Sequence, residues 1–286
     1  MATPRRSGKP GTDRSREFTA LPGPGAAYPS VTGNYAGRVT VEPLPLTGER
    51  TVPGVAEENY WFRRHEAAYL DLVRHCGGAV VLEAGCGEGY GAALVAERAA
   101  RVVALDYDGP TAAHAARAYP ALDVVRGNLA SLPLRDASVD VVANLQVIEH
   151  LWDQEGFLAE CARVLRPGGR LLVTTPNRIT FSPGRDTPLN PFHTRELAPA
   201  ELRDLLVGAG LRVELLAGLR HGPALRELDA RFGGSVIDAQ VAVVVDGGEW
   251  PADLLAAVAS VRSEDFEITT DDLDASLDLV AVAVRG

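Results

Sequence analysis

Nine residues, EAGCGEGYG (Glu83–Gly91), place four glycines and a cysteine directly after the apolar run GGAVVL. Bare backbone at that density permits positive φ and lets main-chain amides approach a ligand that any Cβ would hold off. A phosphate cradle, a metal site and a pocket for a sulfonium cofactor all make use of such a loop. Twenty-one residues after Gly85 stands Asp106, at the end of RVVALD, where a carboxylate can accept from both hydroxyls of a ribose. Two details bear on the choice. A dinucleotide loop built on Gly85 and Gly87 needs its third glycine at position 90, but Tyr90 is there and the glycine is at 89. Glu83, at the strand end that faces the ligand, repels a pyrophosphate and suits a cofactor that bears an ammonium and a sulfonium.

Six histidines offer imidazole for proton transfer. His150, in QVIEHLWD, and His193, in NPFHTREL, each follow a strand-like run and border the crevice where doubly wound folds bind ligands; they are the catalytic candidates, His150 first. His193 shares its loop with Phe181, Arg185 and Asp186, of which Arg185 is a candidate for acceptor binding. His221 is a further acceptor-side candidate and His65 can reach the cofactor from an N-terminal helix, whereas His75 and His114 read as solvated surface. The triplet YWF (60–62) reads as a hydrophobic clamp or, through Tyr60, as a stacking platform for an acceptor. The acids of EDFEITTDDLDASLD (264–278) lack the glycine and final glutamate of a calcium loop and read as a solvated face. Asp153, Asp186 and His150 can gather one magnesium ion, although the pattern does not predict a metal.

The elements that must position these groups are legible as alternating patterns. Short β-branched runs at 79–84, 101–106, 122–127, 139–145, 169–175 and 211–218 alternate with helical spacings, which predicts βαβ units. QEGFLAECARVLR repeats its apolar residues at helical spacing with Cys161 in the core, and RPGG stops that helix. LDLVAVAV (277–284) reads as one more strand beside 211–218. The expected fold is therefore α/β: a doubly wound, Rossmann-like, seven-stranded sheet with helices on both faces and an inserted lobe before the last strand. The boundaries are a disordered leader at 1–45, a helical cap at 46–78, a cofactor-binding core at 79–218, an acceptor-side lobe at 219–276 and the final strand at 277–286.

VLEAGCGEGYG, VVALDYD, NLASLPLRDASVDVVANLQVIEHLWD and RVLRPGGRLLVTTPN, in that order, resemble the class I S-adenosylmethionine-dependent methyltransferases. The resemblance implies that Glu83, Gly85, Cys86, Gly87 and Gly89 line the methionine half of the cofactor. It implies also that Asp106 takes the ribose, that Tyr107 lies beside the adenine with Leu129 packed near it, and that Gln146 faces the methionine group. Asn128 stands where the family often has an acid for the adenine amino group; its amide oxygen can still accept. LTGERTVPGVAEENYWFRRHEAAY, TPNRITFSPGRDTPLNPFHTREL and HGPALRELDARFGGSVIDAQ are similar to actinobacterial methyltransferases found with the biosynthesis of methylglucose lipopolysaccharides. That likeness implies O-methylation of a sugar hydroxyl on a cytoplasmic α-glucan. A small specialised metabolite as acceptor, a cofactor-binding protein without catalysis and a dinucleotide oxidoreductase are the alternatives.

Composition narrows the partners. Of the net charge of −10, about +3 falls within residues 1–45 and −13 on the remainder, so nucleic acid is not an expected partner. Small-molecule or oligosaccharide acceptors fit better. No stretch approaches the roughly 18 apolar residues of a membrane span, and no apolar run follows the basic N-terminus, so a soluble, cytoplasmic protein is expected. Cys76, Cys86 and Cys161 match neither a disulfide framework nor a zinc pattern.

Overall fold

The computed structural model describes residues 50–246 and 248–286; the expected leader and the first residues of the cap lie outside them. Helix α1 (Asn59–Leu72) is followed by β1 (Val80–Ala84), α2 (Tyr90–Ala96), β2 (Arg101–Asp106), α3 (Gly109–Ala118), β3 (Asp123–Arg126), β4 (Val139–Leu145), α4 (Gln154–Val164) and β5 (Leu165–Pro176). A single turn, α5 (Arg178–Phe181), and α6 (Pro199–Gly208) lead to β6 (Leu211–His221); then come α7 (Pro223–Arg231), α8 (Val236–Asp246), α9 (Ala252–Ser260), β7 (Phe266–Thr269) and β8 (Asp278–Arg285). No helix among the described residues is long and apolar enough to cross a membrane.

The strands form one sheet in the order β3-β2-β1-β4-β5-β8-β6-β7. The first five are parallel, β8 runs antiparallel between β5 and β6, and β7 pairs antiparallel with β6. Among the described residues the sheet therefore has eight strands where seven were expected. The addition, FEIT, is four residues long and lies among acids, too short to stand out as a period-2 run. Its pairing also explains why β6 continues past residue 218: Gly218–His221 form the ladder with Thr269–Phe266. RPGG does not end α4 before a separate strand. It sits inside β5 as a bulge, with Val139 opposite Leu165 and Val141 opposite Arg170.

Side-chain alternation divides the strands between two cores. Val81, Val141 and Leu172 face a cluster with Leu72 of α1 and Leu94 of α2, while their neighbours Leu82, Val142 and Leu171 face Phe157, Leu158 and Cys161 of α4 and Leu202 and Leu206 of α6. With both faces covered, every ligand must enter at a strand end. The order reverses between β1 and β4, and the carboxyl ends there are where the glycine loop and Gln146 lie.

Helix α1 is tied to the far side of the sheet by a buried ion pair. Arg64 Nε and Nη2 donate to the two Asp278 carboxylate oxygens at 2.6 Å each, and Nη2 also donates to the Leu277 carbonyl at 3.0 Å. Asp278 is only 2% exposed, so the last acid of the expected solvated face is in fact interior. Removing one partner leaves an uncompensated charge, at a cost of about 3–5 kcal/mol. Asp278→Ala is therefore expected to lower the unfolding free energy by an amount of that order, measured by urea unfolding; a loss under about 1 kcal/mol would show that the pair does not hold α1 in place.

Candidate active site

The glycine loop is shaped by two tight approaches. Gly85 has φ +93°, and a Cβ there would meet the Val147 methyls at 2.7 Å, because the loop crosses the chain just beyond β4. Gly89 has φ +105° and caps the N-terminus of α2, where a Cβ would strike the Tyr119 ring at 2.7 Å. Asp106 holds the loop from the next strand: its two oxygens accept from the Gly87 and Asp108 amides, at 2.9 Å each. A carboxylate offers about four lone-pair sites, so two remain for a diol. Burial raises its pKa, partly offset by those two amides and by the Arg50 guanidinium.

Glu83 is the loop's other acid. The Tyr69 hydroxyl donates to Oε1 at 2.5 Å, while Oε2 is buried without a hydrogen-bond partner among the described residues. Burial pushes the carboxyl up to about 8. Such an orphaned oxygen beside a backbone cradle fits the ammonium of S-adenosylmethionine, and Asp106 fits its ribose. Cys86 is buried and its thiol is pushed well up by burial, which leaves it small and unreactive in the loop. Tyr107 is exposed, and Leu129 is buried. The Asn128 amide oxygen accepts from the Ala130 amide at 2.9 Å, so part of the capacity assigned to an adenine contact closes a turn instead. Gln146 takes φ +58°, a costly left-handed conformation for a side-chain-bearing residue, with its amide bonded to the Thr174 carbonyl at 2.8 Å.

His150 and His193 are brought together. Their rings lie 4.9 Å apart, edge to face, because the 190–196 loop is stitched to the chain after β4. The Thr194 and Arg195 amides donate to the Glu149 carbonyl at 2.7 and 3.2 Å, and the Thr194 hydroxyl donates to the Leu151 carbonyl at 2.7 Å. His150 Nδ1 is 2.9 Å from the Phe192 carbonyl, which can only accept, so the neutral ring carries its proton on Nδ1 and its lone pair on Nε2. His193 Nδ1 contacts the buried Glu196 carboxylate at 2.7 Å, and the Asn190 amide donates to its Nε2 at 3.1 Å. Glu149, which the sequence reading passed over, lies beneath both: its Oε2 accepts from Thr175 at 2.9 Å, its Oε1 lies 4.0 Å from His150 Nε2, and burial pushes it up to about 8. An acid inside the apolar stretch QVIEHLW was the available signal.

Other expected site residues lie elsewhere or do other work. Tyr60 is 0% exposed and cannot offer a ring face to an acceptor; its hydroxyl bonds to His221 Nε2 at 2.6 Å. His221 Nδ1 bonds to Asp229 at 2.6 Å, so both nitrogens are committed to holding α1, β6 and α7 together and not to an acceptor. His114 is 4% exposed, not solvated: it bonds to Glu88 of the glycine loop at 3.0 Å. His65 Nδ1 lies 3.4 Å from the Thr51 hydroxyl, and its pKa is lowered to about 4 by burial. Arg185 and Asp186 are exposed, and Asp153 caps α4 through the Gly156 amide, so the magnesium trio does not assemble. The exposed aromatic beside His150 is Trp152, 93% accessible and missed by the sequence reading.

Binding an ammonium requires Glu83 to ionise. S-adenosylhomocysteine is thus expected to bind more tightly as pH rises from 6 towards 8, by at most about tenfold per unit, and to level off above that. Calorimetry on Glu83→Gln should flatten the slope. Asp106→Ala should weaken the same ligand by roughly 1.5–3 kcal/mol, and an unchanged affinity would remove Asp106 from the ribose site.

Residues 82–173 match the family model described as a methyltransferase domain. A protein of Mycolicibacterium smegmatis named "probable S-adenosylmethionine-dependent methyltransferase" is 65% identical over 245 residues, spanning 85% of this chain and 95% of its own length. A protein of Mycobacterium tuberculosis with the same designation is 59% identical over 246 residues, 85% of this chain and 90% of its own. A solved methyltransferase of Thermotoga maritima, 20% identical, superposes with a TM-score of 0.53 over 79% of this chain and 93% of that one, a likeness of fold. With such identity along nearly the whole length of its relatives, the chain belongs to the S-adenosylmethionine-dependent methyltransferases.

Proposed function

We propose that this methyltransferase acts on oxygen and that its acceptor is a sugar hydroxyl, most simply one on an α-glucan of the methylglucose lipopolysaccharide type. The observation that carries the reading is the pairing of His150 with His193 over two buried carboxylates, at the strand edge that also bears the cofactor loop. An aliphatic hydroxyl is about as weak an acid as water, so its methylation gains from groups that take up the proton as the new bond forms. A thiol or a carboxylate acceptor would need none. The acidic chain favours an uncharged acceptor, and the exposed Trp152 and Phe192 offer apolar surface for the C–H face of a pyranose. A ubiquinone biosynthesis O-methyltransferase of Rhizobium johnstonii, 30% identical over 161 residues, carries an oxygen acceptor in its name.

S-adenosylmethionine supplies an electrophilic methyl group, and the chain supplies alignment and proton uptake. The Phe192 carbonyl and the Glu196 carboxylate fix the two imidazoles, and His150 lies on the solvent side of the pair. His150→Ala is expected to keep S-adenosylhomocysteine affinity within about twofold while lowering kcat by about 10²–10⁴. Labelled-methyl transfer over a panel of oligosaccharides, phenols and polyketides checks both parts. Label on phenols or polyketides alone would favour a specialised-metabolite acceptor, and near-normal turnover in both His150→Ala and His193→Ala would overturn the proton-uptake reading. No transfer to any acceptor by a protein that binds the cofactor would point to binding without catalysis.

A further inference from the structure

We infer that Glu149, His150 and His193 form a binding site for one divalent transition-metal ion of the Zn2+ class, which receives the acceptor oxygen. The inference rests on the reading that this cluster is where the acceptor hydroxyl lies. Each of the three residues offers a ligand atom, and these atoms lie within 4.8 Å of one another. The surrounding hydrogen bonds show which atoms those are. His150 Nδ1 faces the Phe192 carbonyl and His193 Nδ1 faces the Glu196 carboxylate, so Nε2 is the ring atom that each histidine would turn to a metal, His193 Nε2 in exchange for its hydrogen bond from Asn190. Thr175 occupies Glu149 Oε2, which leaves Oε1. Imidazoles anchored through the far nitrogen by a carbonyl and a carboxylate are the arrangement that orients metal-ligating histidines. Helix packing alone does not call for two such anchors on facing rings.

The geometry needs little movement. Bonds of about 2.0–2.1 Å to a tetrahedral ion set neighbouring ligand atoms about 3.4 Å apart. Glu149 Oε1 and His150 Nε2 stand at 4.0 Å and close by under about 1 Å. The Asn190 amide, 3.1 Å from His193 Nε2, must turn aside. Two nitrogens and one oxygen suit Zn2+ or Mn2+ better than Ca2+ or Mg2+, which favour oxygen ligands throughout.

Three protein ligands leave a position open. An acceptor hydroxyl there is acidified as metal-bound water is. Its proton passes to solvent on the exposed side of His150, the new O–C bond forms as the S–C bond breaks, and S-adenosylhomocysteine leaves. No electrons change hands. In this version the imidazoles act through the ion and do not take the proton themselves.

The test titrates chelator-treated full-length protein with Co2+, which reports nitrogen and oxygen ligation by visible d–d absorption. One equivalent should produce the bands, Zn2+ should displace it, and His150→Ala and Glu149→Gln should each lose them. Glu196→Gln should weaken binding by about 10–100-fold through its hold on His193. Thermal melting of each metal-free variant establishes that it folds, and His150, on the solvent side, is the substitution least exposed to that concern. Absence of the bands, or bands unchanged by His150→Ala and Glu149→Gln, overturns the site. Full turnover by metal-free enzyme that is lost in His150→Ala overturns the ion and leaves direct proton uptake standing, whereas full turnover in both overturns both readings.

Discussion

A guanidinium and a carboxylate with almost no access to water, Arg64 and Asp278, fasten the first helix of the described chain to the last strand. Burying two charges is costly, and the cost is offset only because the geometry is two-pronged and a backbone carbonyl takes a further N–H. With α1 pinned at that point, its flanking residues reach in opposite directions. Tyr69 extends to Glu83 under the cofactor loop, and Tyr60 extends to His221 at the end of β6. One helix thus sets the surroundings of the buried Glu83 carboxyl beside the glycine loop and also packs at the end of β6.

The two site carboxylates share a physical condition. Glu83 and Glu149 are buried at neighbouring strand ends, and each is pushed up to about 8 by loss of water. Around neutrality the ligand-free protein holds both mostly as neutral acids. Stability from the neutral forms is complete below the ordinary carboxylate pKa and is lost as pH rises through the folded value. A positively charged ligand at either position reverses that penalty, so the groove trades stability of the empty protein for affinity.

The parts of this arrangement that follow local rules were legible in the residues. Strands such as AVVLEA and VDVVANL announce themselves by β-branched runs, and the glycine loop by the steric demands of its turn. That Asp106 meets the glycine loop was legible because its distance from the loop is a property of one βαβ unit. What escaped depends on chain segments far apart. Asp278 looks like one acid in a run of acids until β8 enters the sheet and brings it to Arg64, 214 residues away. Tyr60 stayed open between clamp and platform because nothing in YWF shows that His221 and Phe266 pack against it. His114 looked solvated because its partner, the buried Glu88, lies in the glycine loop 26 residues earlier in the chain. Glu149 was passed over beside a more conspicuous histidine, although an acid among Val, Ile, Leu and Trp had already marked an unusual interior.

The antiparallel strand between β5 and β6 governs the order in which the molecule can be made. β1 to β5 pair in parallel with one another, so those ladders need nothing that lies beyond β5 in the chain. β6 has no neighbour among them, because its ladder toward the rest of the sheet runs entirely through β8. Until residues 278–285 exist, β6, β7 and the helices between them form a hairpin-like arm with an unpaired edge, joined to a half-sheet whose own edge at β5 is also open. Two exposed edges on one nascent chain invite premature pairing with each other or with a neighbouring chain. β7 covers only the outer side of β6, at Gly218–His221, so the side of β6 that awaits β8 stays open until the last strand is made.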